Sequence, residues 1–277
     1  MKTVLLTGAT SGIGLQSAMQ IAAAGEHLIL VGRSRQKLER AVADVTAAGA
    51  GAVESLVCDF TSLDDVRRLA DQVLERCPRL DVLVNNVGTV FADRTLTPEG
   101  LEATFAVNHL GPFLLTERLK GLLVRSAPSR IVFTASTAHY RGTLDLDDVG
   151  FAHGYTIMGA YARSKLANLL YMRTLARELE DQGVTVNALH PGSVATDIWD
   201  GAPWFARPAL HVAKRLFMIS PAEGGKTLTY LATSPDVEGM TGLYFENNTP
   251  KRPSALALDE TLGQRLRETS LRLVGLT

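Results

Sequence analysis

The sequence of 277 residues lacks an excess of charge of either sign. It contains 28 Lys and Arg against 29 Asp and Glu, which gives a formal net charge of −1 at pH 7. Binding of nucleic acid through its phosphates requires a basic stripe that releases counterions. No such stripe is visible, so the sequence predicts no nucleic-acid partner. With 46% apolar residues, the composition is typical of a folded globular protein and excludes a disordered or collagen-like chain.

Cysteines and long apolar runs are also scarce. Cys58 and Cys77 are the only cysteines, and their spacing fits neither a CxxC pair nor a zinc site, which argues against a disulfide scaffold and favours a reducing compartment. No apolar run approaches the roughly 18 residues of a membrane-spanning helix, and the run after Lys2 is too short for a signal peptide. These absences predict a cytoplasmic protein without a membrane span. The six histidines are scattered, so no metal site is predicted.

Short apolar runs alternate with longer amphipathic stretches along the chain, which is typical of parallel strands joined by crossover helices. The predicted strands cover residues 4–7, 27–31, 53–57, 80–84, 130–134, 184–189 and 242–245, and the predicted helices between them include 15–24, 35–48 and 64–76. This order predicts an α/β fold: a Rossmann-like, doubly wound sheet of about seven parallel strands with helices on both faces. Because no linker or repeat interrupts the pattern, residues 1–277 are expected to form a single domain.

Residues 225–227, Gly-Lys-Thr, look like the end of a phosphate-binding P-loop. The full pattern requires glycine at position 220, where this chain has serine, and no predicted strand precedes the segment. Ser220, Pro221 and Glu223 instead form the pattern of a capping box. We therefore expect a helix that begins after Ser220 and runs through Tyr230.

A glycine-rich turn follows the first predicted strand and leads directly into a helix: Thr7-Gly8-Ala9-Thr10-Ser11-Gly12-Ile13-Gly14. In such a turn, backbone N–H groups and the positive end of the helix approach a pyrophosphate without an intervening Cβ. Glycines alone are weak evidence, because tight turns use them anyway, but the strand, turn and helix in this order predict a dinucleotide cofactor.

The second predicted strand ends without a carboxylate. An acidic residue there would bind the ribose 2′-OH of NAD, whereas an arginine accommodates the 2′-phosphate of NADP. Arg33 stands at this position, with Ser34 and Arg35 as helpers. The sequence thus predicts NADP(H) as the cofactor; the alternative is that Arg33 is a solvated loop residue.

Tyr161 and Lys165 lie four residues apart in a predicted helix, so their side chains share one face, with Cβ atoms about 6 Å apart. A phenol has a pKa near ~10, and a nearby ammonium group stabilises the phenolate and lowers that pKa. The pair therefore predicts a proton-transfer site. The alternative is a surface tyrosine packed on the stem of a lysine.

With this pair, the sequence resembles the short-chain dehydrogenase/reductase family. The matching residues extend from Thr7 to Phe245 and comprise the glycine turn, Asp59, Asn85-Asn86-Val87-Gly88, Asn108, Ser136, Tyr161-x-x-x-Lys165, Pro191-Gly192 and Thr196. Apart from the resemblance, six of these candidates follow predicted strands and would share the carboxyl edge of the sheet, where such sheets bind ligands: Gly8, Arg33, Asp59, Asn86, Ser136 and Pro191.

The resemblance implies four catalytic residues. Tyr161 would be the general acid or base at the substrate oxygen, and Ser136 would form a hydrogen bond with that oxygen. Lys165 would hold the nicotinamide ribose and lower the pKa of Tyr161, while Asn108 would position a water that links Lys165 to solvent. Taken singly, Asn108 also reads as a polar residue inside a helix, and Ser136 as a helix N-cap.

For the cofactor, the resemblance implies that Asp59 meets the adenine, that Asn86 lines the adenosine, and that Val194 and Thr196 hold the nicotinamide half. Singly, Asp59 also reads as an N-cap and Asn86 as a residue that braces a turn. The full predicted cofactor site is Gly8, Ser11, Gly12, Ile13, Gly14, Arg33, Asp59, Phe60, Asn86, Val87, Gly88, Tyr161, Lys165, Pro191, Gly192, Val194 and Thr196.

Residues 108–116, 136–139, 164–168 and 186–192 resemble the retinol dehydrogenase-like branch of the family more closely. This implies an NADP(H)-dependent oxidoreductase that interconverts a lipophilic or aromatic aldehyde or ketone and its alcohol. It also implies a homodimer or homotetramer, by analogy alone. Two alternatives remain open: a reductase of an activated C=C bond, and a non-catalytic protein that senses NADP(H).

Residues 193–220 combine Trp199, Trp204 and Phe217 with Gly201 and Pro203. Because this segment directly follows the predicted nicotinamide site, we expect a substrate lid with an apolar inner face. The alternative is that its aromatic residues pack on the sheet. Residues 140–155, between Ser136 and Tyr161, are expected to border the same pocket. His139 and His190 are expected to be structural, because the Tyr-Lys pair already transfers protons.

Overall fold

A computed structural model describes residues 1–192 and 219–277 of the chain. In its first half the elements are β1 (Thr3–Thr7), α1 (Gly12–Ala22), β2 (His27–Gly32), α2 (Arg35–Ala47), β3 (Ala52–Val57), α3 (Leu63–Arg76), β4 (Val82–Asn85), α4 (Ala103–Phe105) and α5 (Gly111–Arg125). They continue with β5 (Ser129–Thr134), α6 (Ile157–Glu178), β6 (Val184–His190), α7 (Pro221–Thr233), β7 (Tyr244–Glu246), β8 (Thr249–Lys251) and α8 (Glu260–Leu273).

The described strands form one eight-stranded sheet in the order β3-β2-β1-β4-β5-β6-β7-β8. Strands β1 to β7 pair in parallel, as in the register of Leu5 with Ile29 and Leu83. The order reverses between β1 and β4, and a doubly wound sheet binds ligands at such a switch point. The predicted Rossmann-like α/β fold is confirmed.

Strand β8 differs from the prediction of an entirely parallel sheet, because it pairs with β7 in the antiparallel direction. Its three residues are exposed and include Pro250, so it lacks the apolar alternation of a typical strand. Asn247 and Asn248 join the two strands, and both have positive φ angles, of 49° and 59°. Two such residues are the signature of a tight hairpin turn, the one local signal for this strand.

Two apolar cores cover the two faces of the sheet. On one face, α3, α5, α6 and α8 pack around large buried side chains such as Phe113, Phe133 and Tyr171. On the other face, α1, α2 and α7 pack around Leu6, Leu30 and their neighbours. Burial of each side chain of this size contributes about 1.5–3 kcal/mol. Both faces of β1 and β4 are thus covered, which holds their carboxyl ends firmly in place.

The helix boundaries follow local chemistry. Helix α1 begins at Gly12 and not at residue 15, because the chain turns into the helix within the glycine-rich segment. The Oγ of Ser220 accepts a hydrogen bond from the N–H of Glu223 at 3.2 Å, which confirms the predicted cap of α7. Within residues 1–192 and 219–277, none of the helices has both the length and the apolar character that a membrane crossing requires.

Between α4 and α5 the chain forms a π-helical turn at Ala106–Leu110. The N–H of Gly111 donates to the carbonyl of Ala106, five residues earlier. In a regular α-helix, the carbonyl of Asn108 would accept from residue 112, but this residue is Pro112 and has no N–H. The proline therefore explains why the helix widens where Asn108 lies.

Candidate active site

A cleft of about 1320 Å³ runs along the carboxyl edge of the sheet. Its walls contain sixteen of the predicted site residues: Gly8, Ser11, Gly12, Ile13, Gly14, Arg33, Asp59, Phe60, Asn86, Val87, Gly88, Ser136, Tyr161, Lys165, Pro191 and Gly192. Among the described residues predicted for the site, Asn108 and the predicted helper Arg35 are not part of this lining. Val194 and Thr196 lie outside the described residues, as does the predicted lid up to residue 218.

The glycine turn at the start of α1 has a backbone that other residues could not adopt without strain. Gly8 and Gly12 have positive φ angles, of 68° and 53°. A Cβ at Gly14 would overlap with the carbonyl oxygen of Gly8 and lie 2.7 Å from the Nδ2 of Asn86. The three glycines thus form a cradle of bare backbone at a helix N-terminus, which fits the pyrophosphate of a dinucleotide.

Asn86 holds three strand ends together beside this cradle. Its Nδ2 donates to the carbonyl of Thr7 at 3.1 Å, and its Oδ1 accepts from the Oγ1 of Thr134 at 3.1 Å. The alternative interpretation of Asn86 as a structural brace is therefore correct as far as its amide is concerned. Because Asn86 also lines the cleft, bracing and lining coincide in one residue.

The far end of the cleft is cationic. Arg33 follows β2, is exposed and lines the cleft together with Ser34, whose Oγ accepts from the N–H of Lys37 at 3.4 Å and caps α2. Lys37 also lines this end, whereas Arg35 is not among the described lining residues. The sequence interpretation missed Lys37; its position in the first turn of α2, four residues after Arg33, was the available signal.

Asp59 and Phe60 form the neighbouring wall after β3. The Oδ1 of Asp59 accepts from the N–H and the Oγ1 of Thr61, both at 2.9 Å. The N-cap of α3 is Ser62, so Asp59 is not the helix cap that one alternative suggested. Asp59 is the one carboxylate among the described lining residues, and the other charged ones are the cations Arg33, Lys37, Arg141 and Lys165. This balance favours phosphate groups.

Helix α6 places Tyr161 and Lys165 at the opposite end of the cleft. The Oγ1 of Thr156 caps the helix by accepting from the N–H of Gly159 at 3.0 Å. Lys165 is only 2% exposed, its Nζ donates to the carbonyl of Thr134 at 2.9 Å, and it lies 5.5 Å from the ring centre of Tyr161. The two side chains therefore share one face of the helix, as their spacing predicted.

Burial dominates the electrostatics of this pair. It raises the pKa of Tyr161, although a hydrogen bond with the Ser136 side chain acts in the opposite direction. Burial also lowers the pKa of Lys165 to about 8. The sequence interpretation expected Lys165 to lower the pKa of Tyr161, but among the groups of the chain itself the loss of hydration outweighs any such attraction.

Ser136 belongs to a turn that is held from two sides. Its Oγ accepts from the N–H of Ala138 at 3.2 Å, so the predicted alternative of a cap coexists with its place in the cleft. Its carbonyl accepts from the Nδ1 of His139 at 2.6 Å, and the Nε2 of His139 accepts from the N–H of Ser254 at 3.2 Å. His139 thus connects the Ser136 turn to the C-terminal segment.

His190 ends β6 and lines the cleft, and its Nδ1 is buried without a hydrogen-bond partner among the described residues. Burial lowers the pKa of His190, as it lowers the pKa of His139. Both rings are therefore biased towards the neutral form. For His139 the contacts fit the structural role that the sequence predicted.

Asn108 lies directly behind the wall of the cleft and is fully buried. Its Oδ1 accepts from the N–H of Thr89 at 2.8 Å, and its Nδ2 donates to the carbonyl of Thr89 at 3.0 Å and to the Oγ of Ser164 at 3.0 Å. A Cβ at Gly88 would lie 3.3 Å from the Nζ of Lys165 and 3.6 Å from the Oδ1 of Asn108. Asn108 therefore supports the wall next to Lys165.

The wall around Tyr161 and Ser136 is largely apolar, with Val90, Phe91, Tyr140 and Met158. Tyr140 and Met158 are 50% and 49% exposed, which is unusual for side chains of this size. Of the segment 140–155, which was expected to border the pocket, only Tyr140 and Arg141 are among the described lining residues. Of the remainder, Tyr155 supports this wall, because its OH donates to the carbonyl of Phe91 at 2.8 Å, whereas residues such as 152–154 are exposed.

Comparison with known proteins agrees with this geometry. The family model described as short chain dehydrogenase matches residues 2–203. Retinol dehydrogenase 14 of Mus musculus is 41% identical, with 99% of this chain and 86% of that protein covered. Retinol dehydrogenase 13 of Homo sapiens is 38% identical, with 99% and 85% covered. A crystal structure of an actinorhodin polyketide ketoreductase variant with NADPH superposes with a TM-score of 0.67 and 27% identity, over 88% of this chain and 94% of the other.

Proposed function

The chain belongs to the short chain dehydrogenase family of oxidoreductases, and from that premise we propose that it interconverts a lipophilic or aromatic aldehyde or ketone and its alcohol with NADP(H). One observation carries the proposal. Tyr161, Ser136 and Lys165 line one end of the same cleft whose other end is formed by the glycine cradle and the cationic pair Arg33 and Lys37. A single elongated ligand can therefore extend from the cradle to the proton-transfer groups.

The residues at the cradle fit the cofactor. Backbone N–H groups of residues 11–14, at the start of α1, would bind the pyrophosphate, and Asp59 would bind at the adenine. Lys165 would hold the nicotinamide ribose, with Val194 and Thr196 at the nicotinamide half. When bound, the cofactor supplies the hydride for reduction or accepts it in oxidation.

The chain itself supplies the proton transfer. In the reducing direction the Tyr161 phenol donates its proton to the carbonyl oxygen, and in the oxidising direction it takes the proton back. The Ser136 hydroxyl donates a hydrogen bond to the same oxygen and stabilises its developing negative charge. Lys165, with a pKa of about 8, carries its positive charge at neutral pH and favours the phenolate.

The preference for NADP(H) over NAD(H) rests on the end of β2. Arg33 and Lys37 line the cleft there, next to the Ser34 cap of α2. These two cations would attract the additional 2′-phosphate of NADP(H). Residues 32–37 contain no carboxylate that could accept a hydrogen bond from the 2′-OH of NAD. The similarity to a ketoreductase with NADPH supports the same choice.

The substrate class rests on the wall around Tyr161. Val90, Phe91, Tyr140 and Met158 offer apolar surface at the point where a carbonyl would reach the phenol. Relatives named as retinol dehydrogenases support an alcohol or carbonyl substrate of apolar character. A small polar substrate would leave this surface exposed to water.

The test is the consumption of NADPH in the presence of a panel of aliphatic, aromatic, steroidal and retinoid carbonyls. We expect turnover with the apolar members and formation of the alcohol. The same panel includes an activated C=C compound without a reducible carbonyl. Turnover of that compound alone would assign the other reductase chemistry, and binding of NADPH without turnover of any member would contradict the proposal in favour of a sensing protein.

We propose one domain over residues 1–277, with residues 193–220 as the substrate lid, in a cytoplasmic homodimer or homotetramer. Cys58 and Cys77 are both buried free thiols, which suits a reducing compartment. Sedimentation of the purified chain tests the assembly, and a monomer at micromolar concentration would contradict it.

A further inference from the structure

The carbonyl of Asn108 has an unusual partner. Because Pro112 has no N–H, the fourth residue after Asn108 cannot donate to this carbonyl. The Nδ2 of Asn168, in helix α6, donates to it at 2.9 Å. A side chain from α6, the helix that carries Tyr161 and Lys165, therefore donates the hydrogen bond that residue 112 cannot donate to this carbonyl.

This contact is the end of a longer line of hydrogen bonds. The Oδ1 of Asn168 pairs with the Nδ1 of His109 at 3.1 Å, and the Nε2 of His109 pairs with the Oγ of Ser270 at 3.0 Å. Ser270 lies in α8, far along the chain. The line thus runs from the C-terminal helix through the π-helical turn and α6 to the carbonyl of Asn108.

The last acceptor, the carbonyl of Asn108, fixes which group donates in each hydrogen bond of the line. A carbonyl can only accept, so Asn168 must present its NH₂ group to Asn108 and its oxygen to His109. The Nδ1 of His109 must then carry the hydrogen, and its Nε2 must accept from the hydroxyl of Ser270. In the neutral ring each residue donates to the next, and the other neutral tautomer, with hydrogen on Nε2, would break the link to Asn168.

The surroundings keep His109 in this form. The rings of Phe105, Phe113 and Tyr171 lie 5.0, 5.9 and 6.2 Å from its ring. Burial in this apolar cage lowers the pKa of His109 to about 4. The ring is therefore neutral at physiological pH, so its Nε2 accepts from Ser270 while its Nδ1 donates to Asn168.

The line ends at the wall of the cleft. Asn108 holds Thr89 by two hydrogen bonds, and both its Oδ1 and the Nζ of Lys165 would lie within 3.6 Å of a Cβ at Gly88. We infer that Ser270, His109 and Asn168 are positioning residues that tie the C-terminal helix to Asn108 and so hold the wall beside Lys165. Their importance for turnover rests on the proposed function.

The first test compares three alanine variants of buried polar residues. Asn168→Ala and Ser270→Ala each remove one side chain of the line, whereas Ser129→Ala removes a buried hydroxyl that donates to Leu123 at the opposite edge of the sheet. We expect kcat to fall about tenfold in Asn168→Ala, which loses two hydrogen bonds of the line, and about threefold in Ser270→Ala, which loses one. The Kd for NADPH should stay within about twofold in both, and kcat of Ser129→Ala should equal that of the wild type.

The second test does not depend on turnover: nitrogen NMR of the His109 ring measures which of its nitrogens carries the hydrogen. The wild type should show the neutral form with hydrogen on Nδ1. Asn168→Ala should shift the hydrogen to Nε2, where the Oγ of Ser270 can accept it. A folded Asn168→Ala variant with wild-type kcat and an unchanged ring would overturn the inference, as would an equal loss of kcat in Ser129→Ala. If the wild type turns over no carbonyl, the proposed function fails, and the ring signal still decides whether the line exists.

Discussion

The two ends of the cleft are built from different materials. At the cradle end, the ligand surface is mostly backbone, shaped by Gly8, Gly12 and Gly14, with exposed cations at its rim. At the proton-transfer end, the surface consists of side chains such as Tyr161 and Lys165, whose charged forms are disfavoured by burial. The comparison suggests that shape controls cofactor binding at one end, while desolvation controls chemistry at the other.

The largest expected effect separates the two ends completely. Tyr161→Phe removes the phenolic hydroxyl at the proton-transfer end and leaves the cradle intact. We expect kcat to fall by about 10²- to 10⁴-fold, which is the contribution of proton transfer by a positioned side chain. Absorbance of NADPH measures turnover, and fluorescence titration should give an unchanged Kd. A rate close to that of the wild type would refute the role of Tyr161.

The reverse experiment changes the cradle and spares the proton-transfer groups. In Gly14→Ala the added methyl group meets the carbonyl of Gly8, and overpacking of this kind is unfavourable by about 1–3 kcal/mol. NADPH affinity should therefore fall roughly 10- to 100-fold. Gly121→Ala is the matched control: its methyl group meets only the flexible end of Arg125, so affinity should not change. Equal affinity in the two variants would show that the turn is not a cradle.

The cationic rim can be tested by a change of charge. Arg33→Asp replaces a cation by a carboxylate that repels a 2′-phosphate and accepts a 2′-OH. The ratio of the Kd values for NADPH and NADH should shift by at least about tenfold towards NADH, which corresponds to about 1.4 kcal/mol. Arg35→Asp introduces the same charge at a residue outside the described lining and should shift the ratio far less. Similar shifts in both variants would indicate that the overall charge of this region sets the preference, and not a direct contact of Arg33 with the 2′-phosphate.

The last prediction concerns stability: removal of the buried Lys165 charge should raise the stability of the protein while it abolishes turnover. Burial lowers the pKa of Lys165 to about 8 in the folded state, below its value of 10.5 as a free side chain. Between these values the unfolded chain binds the proton and the folded chain does not, so this group raises stability as the pH rises from about 8 to 10.5.

Below pH 8 the folded state holds a buried cation, and Lys165→Met should stabilise the protein at pH 7 by about 1–3 kcal/mol while turnover is lost. Urea denaturation at pH 7 and pH 9.5 measures this difference, which should shrink at the higher pH. Arg33→Met, at an exposed position, is the control and should leave stability unchanged. Lower stability of Lys165→Met at pH 7 would contradict the account of burial given above.

The cradle end was the more predictable of the two. Gly8, Gly12 and Gly14 are required by backbone geometry, and Arg33 follows directly from the end of a strand, so both signals are local in the sequence. Lys37 was missed although the predicted helix 35–48 already placed it in the first turn, four residues after Arg33. The parallel strands were readable from apolar runs, whereas β8 was not, since its three exposed residues carry no apolar pattern.

The proton-transfer end was predictable in composition but not in energetics. The spacing of Tyr161 and Lys165 predicted that their side chains share one helix face, and in the structure they do. The direction of the pKa shift of Tyr161 could not be read, because it depends on how much water remains around the ring. Asn108 was expected to act through a water, and its position behind Thr89 emerges only when α6 packs against the π-helical turn.

The amino-acid sequence by itself determined the alternation of strands and helices, the glycine turn and the face shared by Tyr161 and Lys165. These depend on the conformational preferences of a few consecutive residues. Only the tertiary structure decided that Lys165 is buried, that Asn168 reaches the carbonyl of Asn108 and that Ser270 in the last helix completes the line. Hydration and hydrogen bonding at these positions depend on residues that lie up to 161 positions apart in the chain, and no local pattern encodes such contacts.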